Sequence, residues 1–234
     1  MRKSNATYRP QVEALESRWV PAGNVTAQLV GDTLVVTGDQ FDNNLVIYRD
    51  EMGIHLSGFD TSITGAAGEQ IYEGVNNLVV DLANGDDTVN MPRLYLDGNL
   101  FIDTGEGSDF VDSFFLRVRG DAEIRTGANG LGIHGEAVNL ARLFVDGTLT
   151  IDTGTGEDRV QLGGRPNPGE EPSTLGNLVI DTGEGNDWVD LTYLQVPGDV
   201  RLDGGNGQQD YLNVFFLGAS HSRTIIGFEF GYGW

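Results

Sequence analysis

The 234-residue chain contains no cysteine, so neither a disulfide framework nor thiolate chemistry is open to it. Lysine is almost missing: Lys3 is the only one, which removes the lysine of a phosphate-binding loop. No uninterrupted apolar run approaches the roughly 18–20 residues of a membrane-spanning helix. Positive charge is scarce, with 14 basic against 35 acidic residues and a net charge of −21. The first 23 residues hold four of the bases and two acids, so the rest carries 33 acids against ten bases, all arginine. A field of that sign repels phosphate backbones and anionic membrane surfaces, so the expected partners include neither nucleic acid nor membrane. It attracts cations. Histidines 55, 134 and 221 are scattered without ligand spacing, which argues against zinc.

What the chain has in excess is glycine, 34 residues without a collagen triplet, which points to many tight turns. It also repeats. Taking the residue after each short apolar-x-apolar segment gives Asp81, Asp103, Arg125, Asp152, Asp181 and Asp203, at spacings of 22, 22, 27, 29 and 22. The stretch "GGRPNPGEEPS" (163–173) is a loop inserted into one of the longer units. Around the marker, apolar residues recur in pairs two apart. Leu100 and Ile102 precede it, Val160 and Leu162 follow eight and ten later, and Leu116 and Val118 follow thirteen and fifteen later. A spacing of two is the strand period, so each unit holds three short strands.

Three short strands per unit, at constant offsets, predict an all-β fold: a right-handed parallel β-helix of about six rungs. Rungs about 4.8 Å apart would stand on the order of 30 Å tall, with Leu, Ile and Val in interior ladders. The expected organisation is an export segment over 1–23, antiparallel hairpins capping the stack over 24–77, the helix over 78–217, and an aromatic tail over 218–234. That tail, "TIIGFEFGYGW", either covers the last coil or offers an edge to another chain.

The corner after the first strand reads "TGEGSDFVD" (104–112), "TGTGEDRVQ" (153–161) and "TGEGNDWVD" (182–190), with a looser copy "LANGDDTVN" (82–90). These resemble the calcium-binding repeat-in-toxin (RTX) nonapeptide G-G-x-G-x-D-x-U-x, apart from Thr in the first place and one copy per rung. Two aspartate columns result. Asp87, Asp109, Asp158 and Asp187 are the first candidates for Ca²⁺, with carbonyls near Gly107, Gly156 and Gly185; Asp103, Asp152 and Asp181 come second. Unit charges one rung apart repel by about 1 kcal/mol in water and roughly 3.5 at an effective dielectric near 20. Ca²⁺ would offset that with six to eight oxygen ligands. The competing reading is that these side chains cap turns by accepting backbone N–H groups. Rung three places Arg125 and Leu131 where its neighbours have carboxylates, which leaves Arg125 to pair with Asp103 or Asp152. The last rung, "GGNGQQDYL" (204–212), displaces its Asp by one place.

The start of the chain, "MRKSNATYRPQVEALESRWVPAG", resembles the LExR sorting segment of planctomycetal surface and secreted proteins, through Leu15-Glu16-Ser17-Arg18. The resemblance implies export to an extracellular or cell-surface location. Together with the acidic solenoid it gives a structural or adhesive surface protein that binds calcium, its further partners surface glycans or other surface proteins. The alternative is a carbohydrate-active enzyme on a β-helix scaffold, using acids such as Asp112 and Asp190 with Arg117, Arg119 or Arg159. The Asp-Thr-Gly triplets also match an aspartic-protease loop, but three copies in successive rungs are better explained by the repeat.

Overall fold

The computed structural model of the chain describes residues 23–64, 68–128, 135–218 and 221–232. The sorting-type segment before Gly23, and Leu131 of rung three, lie outside the described residues. Every element described is a strand, and together they form a β-solenoid of about six turns.

Each turn has three walls. The first wall stacks Thr33–Thr37, Asn77–Asp81, Leu100–Asp103 and Ala122–Arg125, then the ends of Leu143–Asp152 and Ser173–Asp181, then Asp199–Asp203 and Ser222–Ile226, all parallel. The second wall stacks Asn44–Asp50, Thr88–Asn90, Phe110–Ser113, Ala137–Leu140, Arg159–Gly163, Trp188–Gln195, Tyr211–Leu217 and Phe230–Tyr232. The third is shorter, with Leu94–Leu96, Leu116–Val118 and the starts of Leu143–Asp152 and Ser173–Asp181.

The register explains the offsets in the sequence. Val80, Ile102, Ile124, Ile151, Ile180 and Leu202 are successive partners on the first wall, and all are buried. Val89, Val111, Val138, Val160, Val189 and Leu212 do the same on the second. No rung could bury these side chains alone; each is covered by the rungs above and below, which is why the stack forms as a unit.

Near the N-terminal end the pairing changes. Gly23–Val30 pairs antiparallel with Thr33–Thr37, and Gly53–Gly58 pairs antiparallel with both Asn44–Asp50 and Gln70–Tyr72. His55 is held inside this hairpin region: its Nε2 lies 2.8 Å from Asp50 and its ring stacks on Tyr48 at 4.4 Å. At the other end Ser222–Ile226 and Phe230–Tyr232 continue the parallel register of the first two walls.

Candidate functional site

The glycine-rich corner between the first and second walls is built by close stacking of backbone. Gly127 and Gly154 have φ of 78° and 80°, and a Cβ on either would collide with the carbonyl oxygen of the glycine one rung before it. Only glycine satisfies both the positive φ and the approach. Gly156 and Gly185, at φ 151° and 150°, close the same turn, with Gly156 donating its N–H to Glu184 O at 2.7 Å.

The two aspartate columns differ in direction. Asp81, Asp103, Arg125, Asp152, Asp181 and Asp203 are register partners at the end of the first wall, on the outside. Asp103 and Asp181 are half-buried, and partial burial together with the neighbouring carboxylates raises both above the usual range. The second column turns inward. Asp87, Asp109, Asp158 and Asp187 are each 1–2% exposed.

They form a continuous chain of hydrogen bonds. Asn43 donates its backbone N–H to Asp87 Oδ1 at 2.6 Å, Asp87 to Asp109 Oδ1 at 2.7 Å, and Asp109 to Glu136 Oε2 at 2.7 Å. Glu136 donates to Asp158 Oδ1 at 2.9 Å, Asp158 to Asp187 Oδ1 at 2.8 Å, Asp187 to Asp210 Oδ1 at 2.8 Å, and Asp210 to Glu229 Oε2 at 2.8 Å. Each carboxyl thus grips the amide of its counterpart in the preceding rung. This is the capping role, exerted between rungs.

Two sequence expectations are corrected here. Rung three does not lack an acid: Glu136 stands in the file, because the longer turn before it places Val138 opposite Val111 and so Glu136 beside Asp109. Arg125 pairs with neither Asp103 nor Asp152. Its guanidinium turns back to Glu123 on its own strand at 2.5 Å and lies over the Phe101 ring of the preceding rung at 5.6 Å. The displaced Asp of the last rung is also accommodated, since Gln208 and Gln209 both donate their N–H to Asn186 Oδ1, absorbing one extra residue before Asp210 enters the file.

The second carboxyl oxygens decide what the file can do. Asp109 Oδ2 accepts from the buried Thr104 hydroxyl at 2.6 Å, which gives the Thr that replaces the first RTX glycine a task. Asp87 Oδ2, Glu136 Oε1 and Asp210 Oδ2 are buried without a hydrogen-bond partner. Burial is the main cause pushing Asp87 up to about 8, Asp109 to about 6, Glu136 to about 9 and Asp187 to about 7. Buried carboxylates of this kind need a proton or a cation. Among the described residues, no three acids or histidines converge on a single point. A cation would therefore take at most two file carboxylates, with backbone carbonyls completing its shell. Gly154 O and Gly183 O already accept N–H groups from Glu184 and Asn206 at 2.9 and 2.8 Å, and each keeps a second lone pair. The donor set is all oxygen and fits Ca²⁺ in kind.

The enzyme candidates are not brought together. Asp112 and Asp190 lie three rungs apart on the outer side of the second wall. At about 4.8 Å per rung that is roughly 14 Å, beyond the about 5–9.5 Å between paired glycosidase carboxyls. Each accepts from a neighbouring amide instead, Asn139 at 2.9 Å and Asn213 at 3.1 Å. Arg119 pairs with Asp97 at 3.1 Å.

A second ladder escaped the sequence reading. At the corner before the first wall, Asn77 Oδ1 accepts the Asn99 N–H, Asn99 Oδ1 the Asp121 N–H, and Asn177 Oδ1 the Asp199 N–H. Its signal is a Gly-Asn or Gly-Asp dipeptide ahead of five first-wall segments: Gly31-Asp32, Gly98-Asn99, Gly120-Asp121, Gly176-Asn177 and Gly198-Asp199. Glu136 also had a signal: every file acid sits two residues before the first buried apolar residue of the second wall. Set against known proteins, the chain matches no family model, no curated protein and no solved structure.

Proposed function

We propose that this chain is a structural solenoid of the cell exterior whose acid file is neutralised by calcium, serving as a rigid surface or matrix element with an adhesive role. The observation that carries the proposal is the file itself. Six buried carboxyls stand in consecutive rungs, with backbone amides and a threonine hydroxyl as their partners and buried oxygens left over. Asp87, Asp109, Asp158 and Asp187, joined by Glu136 and Asp210, would hold the ion with carbonyls of the glycine corner; Asp103, Asp152 and Asp181 supply a weaker outer column. Calcium bound by the stack and not by the unfolded chain adds RT ln(1 + [Ca²⁺]/Kd) to stability. A chain of charge −21 would cross the cell envelope soft and self-repelling, then stiffen in a calcium-rich medium.

The raised carboxyl groups give protons the same opening. Protons and calcium then compete for one set of oxygens. The test is thermal unfolding at pH 8 with millimolar CaCl₂ and with EGTA. A higher midpoint in calcium supports the reading; coincident midpoints at pH 8 rule out the ion and leave proton-capped acids.

A further inference from the structure

We infer that the outer side of the second wall is a docking surface for an extended, neutral polysaccharide chain lying along the solenoid axis. The inference names a partner for the adhesive role and does not depend on calcium, since the surface is on a different side of the wall from the acid file.

In-register stacking sorts the outward side chains of this wall into axial columns. One runs Phe110, Ala137, Arg159, Trp188 and Tyr211, with the small Ala137 and the Arg159 stem between its aromatic ends; the next runs Asp112, Asn139, Gln161, Asp190 and Asn213. Phe110 and Trp188 are 40% and 44% exposed, and Phe215, farther along the same strand as Tyr211, is 54% exposed. The Trp188 and Tyr211 rings lie 22° from parallel with centroids 5.2 Å apart, too far for full face-to-face overlap, so they are offset like roof tiles and each keeps part of a face open. Exposed aromatic surface arranged in a line costs hydration and marks an interaction site.

The neighbouring column decides the partner. Asn139 Nδ2 donates to Asp112 Oδ1 and Asn213 Nδ2 to Asp190 Oδ1, which fixes two acid–amide pairs flat on the sheet. Each pair keeps a carboxylate oxygen and an amide oxygen as acceptors, suited to the hydroxyl donors of a sugar ring whose C–H face rests on the aromatics. A protein interface would deplete carboxylates from its centre, whereas here they stand between the rings. Arg159 is the one cation in these two columns, and the chain as a whole is strongly negative, which disfavours an anionic polymer. The surface runs four rung steps from Phe110 to Tyr211, about 19 Å, a length that suits a chain of several sugars.

The test is affinity electrophoresis of the full chain through gels containing hydroxyethyl-cellulose, neutral xylan or, as the anionic counterpart, alginate, each with calcium and with EGTA. The expected result is retardation by at least one neutral polymer in both media. Trp188→Ala and Phe110→Ala should each weaken it about tenfold, with unchanged unfolding midpoints. No retardation by either neutral polymer, retardation by alginate alone, or retardation that survives both substitutions would overturn the inference. Retardation in EGTA alongside an unfolding midpoint indifferent to calcium would keep this inference while removing the ion.

Discussion

The backbone N–H of Asp87 donates to Oδ1 of Asp109 at 2.7 Å, across 22 residues of sequence. Asp109 Oδ2 is held at the same time by Thr104, so one carboxyl serves its own turn and the rung before it. Asp109→Asn keeps an acceptor for the Asp87 amide and removes the charge; in EGTA at pH 8 it should unfold at or above the wild-type midpoint, with a smaller calcium response. Asp109→Ala leaves the buried Asp87 N–H unpaired, and chemical denaturation should register a loss of about 1–3 kcal/mol.

Stability without calcium should fall as pH rises. The file acids take their protons more readily in the fold than in the unfolded chain, with Asp109 near 6, Asp187 near 7, Asp87 near 8 and Glu136 near 9, against ordinary values of 3.8 for Asp and 4.5 for Glu. The folded state binds more protons across this window, so its advantage is complete below about 4 and is lost as pH passes through those folded values. Midpoints measured in EGTA from pH 4 to 9 should decline, and calcium should flatten the alkaline part of the curve.

The glycine corner should tolerate no side chain. Gly154→Ala forces a β-carbon against the carbonyl of Gly127 at a φ of 80°, whereas Gly31→Ala, at φ 65°, meets nothing within 4 Å. Gly31→Ala should cost on the order of 1 kcal/mol from backbone strain alone. Gly154→Ala should cost several times that, read by urea unfolding of both variants.

The N-terminal hairpins should loosen at alkaline pH. His55 Nε2 bonds to Asp50 at 2.8 Å, and its Nδ1 lies 3.1 Å from Glu69, close enough for charge pairing though outside hydrogen-bond alignment. The hydrogen bond to Asp50 leads the causes that raise the His55 pKa. This clamp is fully present below the ordinary value of 6.5 and is lost as pH rises through the raised one. The protection of the Gly53–Gly58 amides, with exchange normalised to the intrinsic base-catalysed rate, should fall over that range in the wild type, and His55→Gln should remove that fall.

The repeat was legible because parallel in-register pairing forces equal offsets: Val111 and Val160 each follow their marker by eight because each caps the same position on the second wall. The inward turn of the acids was legible in principle. Asp109 and Val111 are two apart on one strand approach, so the alternation that buries the valine also buries the carboxyl. Glu136 was hidden because the longer turn before it broke the fixed offset and the glutamate replaced the expected aspartate. The partner of Arg125 is not legible from its place in the column, because its flexible side chain reaches Glu123 two residues away. The acid–amide pairs of the second wall come from residues 23 and 27 apart, and only the assembled register joins them.

The tie between rungs is tested most directly by amide hydrogen exchange in Asp109→Ala, followed at Asp87 and at Asp187 by NMR. Asp87 should exchange at least about tenfold faster than in the wild type, since its acceptor is gone, while Asp187, bonded to Asp210, should keep its protection. An Asp87 amide that stays as protected as before, or that speeds up only in step with Asp187, would contradict the carboxyl file as the element that holds successive rungs together.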